Sequence, residues 1–185
     1  GNIPEFAIIS ICRCRFITPS ASLTCPLSRY LSPLPGVVNL SFQAGFADMA
    51  AAFVFPGQGS QAVGMGKGLA EAFPSARRVF EEVDIALGER LSGIIWNGPA
   101  DQLTLTENAQ PALMAVSLAA LRALEEEAGI DLRRDATFVA GHSLGEYSAL
   151  AAARALSIAD AARLLRIRGR AMQKAVAVGA GAMAA

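Results

Sequence analysis

The run Gly141-His142-Ser143-Leu144-Gly145-Glu146 stands directly after a short apolar stretch and directly before an alanine-rich one. That order constrains the fold more than any other feature of the chain. A serine on a sharp strand-to-helix turn has a strained backbone. It tolerates only small neighbours two residues either side, because larger side chains would collide with the strand and the helix. Gly141 and Gly145 meet that need, and the turn aims the Ser143 hydroxyl at a helix N-terminus, where unpaired N–H groups and the helix dipole stabilise a developing oxyanion. The flanks agree. Residues 136–140 carry Thr137, Phe138 and Val139 and predict a short buried strand, and 144–153 predicts a helix. The competing reading is a glycine-rich turn in which Ser143 only caps the following helix.

A second glycine turn has the same form. Phe53-Val54-Phe55 reads as a strand and runs straight into Pro56-Gly57-Gln58-Gly59-Ser60-Gln61. Glycines there let a ligand approach the backbone closely, with the amide of Gln58 beside it. A phosphate loop is excluded, since no Gly-Lys-Ser/Thr closes the spacing. The ordinary alternative is a plain strand-to-helix connection.

Taken with Gln110-Pro111-Ala112-Leu113 and the segment Arg168 to Gln173, these turns form an ordered set of four motifs. From Phe53 to its C-terminus the chain resembles the malonyl-CoA:acyl-carrier-protein transacylase family, which includes the acyltransferase domains of fatty-acid and polyketide synthases. The resemblance implies an α/β fold: a parallel sheet wrapped by helices, the large acyltransferase subdomain in incomplete form, with the small ferredoxin-like subdomain only begun at the C-terminus. It implies Ser143 as nucleophile toward the thioester of malonyl-CoA. The phosphopantetheine thiol of acyl carrier protein then takes up the malonyl group.

The family's oxyanion hole maps onto the backbone N–H groups of Gln58 and Leu144, each such donor stabilising the transition state by about 2.7–4 kcal/mol. Its malonyl-binding arginine maps onto Arg168, whose planar guanidinium suits bidentate carboxylate recognition. Gln110 is carried as a further substrate-binding residue. No cofactor and no metal is implied; malonyl-CoA is the substrate. The expected partners are acyl carrier protein and the coenzyme A thioester. A serine esterase or lipase of α/β-hydrolase type also uses G-x-S-x-G and is the enzymatic alternative. A non-catalytic fragment that binds carrier protein is the other.

Arg163, Arg166, Arg168 and Arg170 have a plainer reading as a solvated basic face. Steps of two residues rotate by about 200°, however, so they cannot share one face. His142 is the only histidine in the chain. The turn that exposes Ser143 directs its predecessor away from the hydroxyl, so His142 is read as packing locally and not as the base. In the family the base is a histidine further downstream, which would lie beyond Ala185. The expectation is therefore a chain cut in mid-domain, with little transacylase activity of its own.

Residues 1–48 match nothing in the family, whose start fits Met49, so 49–185 is read as the acyltransferase part. The leader is rich in Ser, Pro and Arg and contains only Glu5 and Asp48 as acids. It reads as translated upstream sequence or residues added in expression, with a transit peptide as the alternative. Cys12, Cys14 and Cys25 all lie in it and suggest neither a zinc site nor a disulfide framework.

Sixteen basic residues balance sixteen acidic ones, which argues against nucleic acid as partner. No run reaches the roughly 18 apolar residues needed to span a bilayer. The expected location is cytoplasmic, or mitochondrial or plastid if the leader is a genuine transit peptide. Further helices are predicted over 64–71, 75–87, 109–127 and 158 to about 175, the last capped by Ser157 and Asp160. Two departures from the family pattern stand out. Arg154 occupies a place usually held by glycine or another small residue, and Ala177 and Ala180 replace a usual Pro and Glu.

Overall fold

The computed structural model describes residues 10–14 and 50–175. Strand β2 (Ala50–Phe55) is central. It pairs in parallel with β3 (Phe138–Gly141), from Ala52 opposite Phe138 to Phe55 opposite Gly141. This is the parallel pair the sequence predicts, with both glycine turns at its C-terminal ends. On its other edge β2 pairs antiparallel with β1 (Ser10–Cys14), Ser10 facing Val54 and Cys14 facing Ala50. The described sheet is thus mixed, and a strand from within residues 1–48 takes part in it. The expected entry of the small subdomain, including Ala177 and Ala180, lies outside the described residues.

Eight helices follow among the described residues. They are α1 (Lys67–Ala72), α2 (Pro74–Leu87), α3 (Leu91–Asn97), α4 (Ala100–Thr104), α5 (Thr106–Ala128), α6 (Leu132–Asp135), α7 (Leu144–Ala152) and α8 (Ile158–Ala175). Helix α2 opens on Pro74 at its first position and ends on Gly88 with φ 67°, the asymmetry expected of proline and glycine. It buries Ala76, Val79, Phe80 and Val83 on one stripe. Ser157 Oγ accepts the Asp160 N–H at 3.0 Å and donates to its carboxylate at 2.7 Å, so the predicted cap of α8 is formed.

Helix α7 packs on β2 and β3, and α5, α8 and α2 pack on one another behind it. Helix α5 is buried without interruption from Asn108 to Ala119, which makes it the axis of the core. Burial alternates along β2, with Ala51, Phe53 and Phe55 covered. The other face carries Ala52 and Val54, and beside them Ala140 and Phe138, the latter 67% exposed. Among the described residues, helices therefore cover one face of the sheet. None of the described helices is long and apolar enough to cross a membrane.

Candidate active site

Ser143 has φ 57° and ψ −108°, a left-handed backbone that costs a non-glycine residue about 1–3 kcal/mol. Its surroundings hold it there. The His142 N–H donates to the Phe55 carbonyl at 3.2 Å, tying the elbow to the end of β2, and the Gly145 N–H donates to the His142 carbonyl at 2.9 Å. The glycines are required by contact. A Cβ on Gly141 would lie 2.0 Å from the Gly145 carbonyl atoms, and one on Gly145 would lie 2.3 Å from the Phe55 oxygen. Both partners are backbone and cannot turn aside.

Arg168 reaches this serine from α8. Its Nη2 donates to Ser143 Oγ at 2.9 Å, and its Nη1 donates to Gln110 Oε1 at 2.7 Å. Gln110 is 1% exposed, and its Nε2 donates in turn to Met172 Sδ at 3.3 Å. The guanidinium carbon sits 6.0 Å from the centroid of the Tyr147 ring. Three residues named from sequence, Ser143, Arg168 and Gln110, are thus joined in one hydrogen-bonded row, although 58 positions separate the last two.

Gln58 and Leu144 lie on the two turns that meet here. Leu144 is the first residue of α7, where the backbone N–H has no intrahelical partner, and its side chain is buried. Gln58 is exposed, and its side-chain Nε2 donates to Thr106 Oγ1 at 3.3 Å. The turns are in close apposition: a Cβ on Gly57 would lie 2.5 Å from His142 Nδ1 and 3.2 Å from the His142 oxygen. The His142 ring therefore rests against the first glycine turn.

Arg168 points away from its neighbouring arginines on α8, as its two-residue spacing from Arg166 and Arg170 requires. Arg163 pairs with Asp160 at 3.1 Å, and Arg170 with Glu107 at 2.9 Å. Arg166 is buried, with Nη1 donating to the Glu107 carbonyl at 2.8 Å and to Asn108 Oδ1, and with Nη2 on the Glu89 carboxylate. Burial pushes its guanidinium down from the ordinary arginine range, against the pull of Glu89. Sequence reasoning found no role for Arg166, Glu89, Glu107, Asn108 or Gln173. The available signal was Pro111, a helix-interior residue that can donate no hydrogen bond to the carbonyl four positions earlier.

Residues 52–185 match the acyl transferase domain family. A malonyl CoA-acyl carrier protein transacylase of Bacillus subtilis is 55% identical over 134 residues, 72% of this chain and 41% of that protein. The crystal structure of an acyl-carrier-protein-S-malonyltransferase from Bartonella henselae superposes with a TM-score of 0.65 at 66% identity, covering 67% of this chain and 39% of the other. A malonyl-transacylase solved in complex with its type II polyketide acyl-carrier protein superposes with a TM-score of 0.61 at 45% identity, over 66% of this chain and 38% of that one. The chain spans about two-fifths of the length of these relatives.

Proposed function

The chain belongs to the acyl transferase domain family, and from that premise we propose that it carries the nucleophile and the acid-binding arginine of a malonyl transferase. The observation that carries the reading is the 2.9 Å hydrogen bond from Arg168 to Ser143 Oγ. A guanidinium within reach of the nucleophile lies where the free carboxylate of a malonyl thioester must sit, since that carboxylate is separated from the reacting carbonyl by a single methylene. Arg168 exchanges its bond to Ser143 for a charge-assisted one to the substrate, while Gln110 keeps its other nitrogen fixed.

Ser143 Oγ attacks the thioester carbonyl of malonyl-CoA, and its proton passes to a base, which the family resemblance puts on a histidine downstream of the residues matched here. The backbone N–H groups of Gln58 and Leu144 receive the oxyanion. The tetrahedral adduct collapses, the C–S bond breaks, and coenzyme A leaves as a protonated thiol with the malonyl ester on Ser143. The phosphopantetheine thiol of acyl carrier protein then takes the malonyl group by the same steps in reverse order. Malonyl-CoA enters as substrate with no further cofactor, in the cytoplasm.

The test, made on this chain continued by the downstream part that carries the base histidine, is intact-mass detection of a malonyl adduct after incubation with malonyl-CoA, followed by its loss on adding the carrier protein. The adduct should be absent from Ser143→Ala. In Arg168→Ala, labelling should shift from malonyl-CoA toward acetyl-CoA. Hydrolysis of simple esters with no transfer would favour the esterase alternative and refute this reading.

A further inference from the structure

We propose that Arg166 is a positioning residue: by gripping the carbonyl that Pro111 leaves without a donor, it sets the phase of α8 against α5, holds Arg168 on Ser143 and so sets the preference for a diacid acyl group. The last clause rests on the reading of Arg168 given above.

Pro111 lies inside α5 and has no N–H, so the carbonyl of Glu107 lacks its helical partner. Arg166 Nη1 takes that place at 2.8 Å from another helix. Its planar fork spreads over Glu107 O, Asn108 Oδ1 and the Glu89 carboxylate together, which a lysine ammonium cannot do. The same turn of α5 receives two more residues of α8. Gln173 Oε1 accepts the Glu107 N–H at 2.6 Å, supplying a cap that α5 has no side chain of its own to provide. Arg170 Nε donates to the Glu107 carboxylate at 2.9 Å. Between them Gly169 comes so close that a Cβ would lie 2.5 Å from Glu107 Cα.

Residues 166, 170 and 173 follow helical spacing along one face, and all three converge on Glu107. Arg168 and Met172 occupy the adjoining face, and both bind Gln110, three positions further along α5. The two faces are parts of one rigid helix. A rotation that frees Arg166 from Glu107 therefore also carries Arg168 away from Gln110 and Ser143.

The experiment is made on this chain continued by the downstream part that carries the base histidine, and compares it with its Arg166→Met, Arg166→Lys, Arg168→Ala and Arg166→Met/Arg168→Ala variants, each checked for folding by circular dichroism. The first readout is the ratio of Ser143 acylation by malonyl-CoA to that by acetyl-CoA. Arg166→Met should lower the ratio roughly 10- to 100-fold, the scale of loss when a binding group is misplaced by about 1 Å. The loss should come mainly from weaker malonyl-CoA saturation, and Arg166→Lys should restore little of it. Adding Arg166→Met to Arg168→Ala should change the ratio no further, because the effect passes through Arg168. An unchanged ratio, or equal loss for both thioesters, overturns the proposal.

The second readout is the side-chain ¹⁵N signals of Arg168, which should show a restrained guanidinium in the parent and a freely rotating one in Arg166→Met. If Arg168→Ala itself leaves the ratio unaltered, the functional reading has failed and this signal alone decides the positioning claim. Unchanged restraint overturns it. Should Arg166→Met not fold, Arg166→Lys carries both readouts, since it keeps the charge and loses the fork.

Discussion

Gly145→Ala isolates the packing that forces the elbow. The new methyl would lie 2.3 Å from the Phe55 oxygen and 2.8 Å from the Pro56 oxygen, both fixed at the end of the central strand. Overpacking of this kind costs about 1–3 kcal/mol, and the upper end applies where no side chain can yield. Alanine regains about 1 kcal/mol over glycine from helix propensity. The net expectation is a loss of about 2 kcal/mol, or about 4–8 °C in Tm for a chain of this size. Gly68→Ala is the internal control: it too lies in a helix, and nothing stands within 4 Å of its added Cβ. It should gain about 0.5–1 kcal/mol and raise Tm by about 1–4 °C. Both are measured by thermal melts with urea titrations alongside. If Gly145→Ala melts with or above the parent, the contact argument for the elbow fails. If it melts lower yet labels at Ser143 as fast as Gly68→Ala, the contact is structural and does not aim the hydroxyl.

Two further outcomes follow from the same geometry. Gly169→Ala should lower stability by about 2 kcal/mol in a urea titration, since its Cβ would press on Glu107 Cα at 2.5 Å and Thr106 O at 2.8 Å. Asp135 sits below the usual carboxylate range, chiefly through its hydrogen bonds from Arg134, and its Oδ2 also accepts the Asp131 N–H at 2.8 Å. A lowered folded pKa contributes stability that is full above the unfolded value of about 3.9 and is lost as pH falls through the folded one. Asp135→Asn should therefore melt below the parent at neutral pH, and the difference should shrink as the pH falls below the unfolded value of about 3.9. A constant difference across that range would refute the assignment.

The elbow was legible because its requirement is local: two glycines, a strand and a helix within about a dozen residues of chain. The parallel pairing of β2 with β3 followed from the same alternation. Arg168 was legible only through the family resemblance, since a run of four arginines holds nothing that distinguishes the one on Ser143 from the one buried on Glu107. Arg166 became visible only in three dimensions, because its acceptor is a backbone carbonyl opened by a proline on another helix. That proline also displaced a boundary. Pro111 sits near the start expected for α5 at residue 109, but the helix begins at Thr106, and side chains from α8 supply what the proline removes. Helices α3, α4 and α6 went unread, since none carries an apolar period, whereas the equally short α1 was expected over 64–71 and is formed over Lys67–Ala72. Strand β1 went unread as well, since its pairing partner lies some 40 positions on.

Arg154 is the clearest case of a residue whose anomaly in sequence acquires a physical cause in the fold. Helix α7 ends in a Schellman arrangement: the Arg154 N–H donates to the Ala151 carbonyl at 3.1 Å, and the Ala155 N–H to the Leu150 carbonyl at 2.9 Å. That closure needs a left-handed residue at position 154, and Arg154 has φ 61°. A side chain there costs about 1–2 kcal/mol. Glycine would remove that cost and lose about 0.5–1 kcal/mol of it to the entropy of a freer unfolded chain. Arg154→Gly should therefore be more stable by about 0.5–1 kcal/mol, whereas Arg154→Ala, which keeps the Cβ, should gain nothing. Equal gains in both would trace the cost to the arginine side chain and not to the backbone. Position 154 closes the far end of α7 from Ser143, so labelling by malonyl-CoA should proceed at the parent rate in Arg154→Gly. A change in that rate would mean that the strain at 154 is transmitted along α7 to the elbow, making the arginine part of the site's construction and not a tolerated defect.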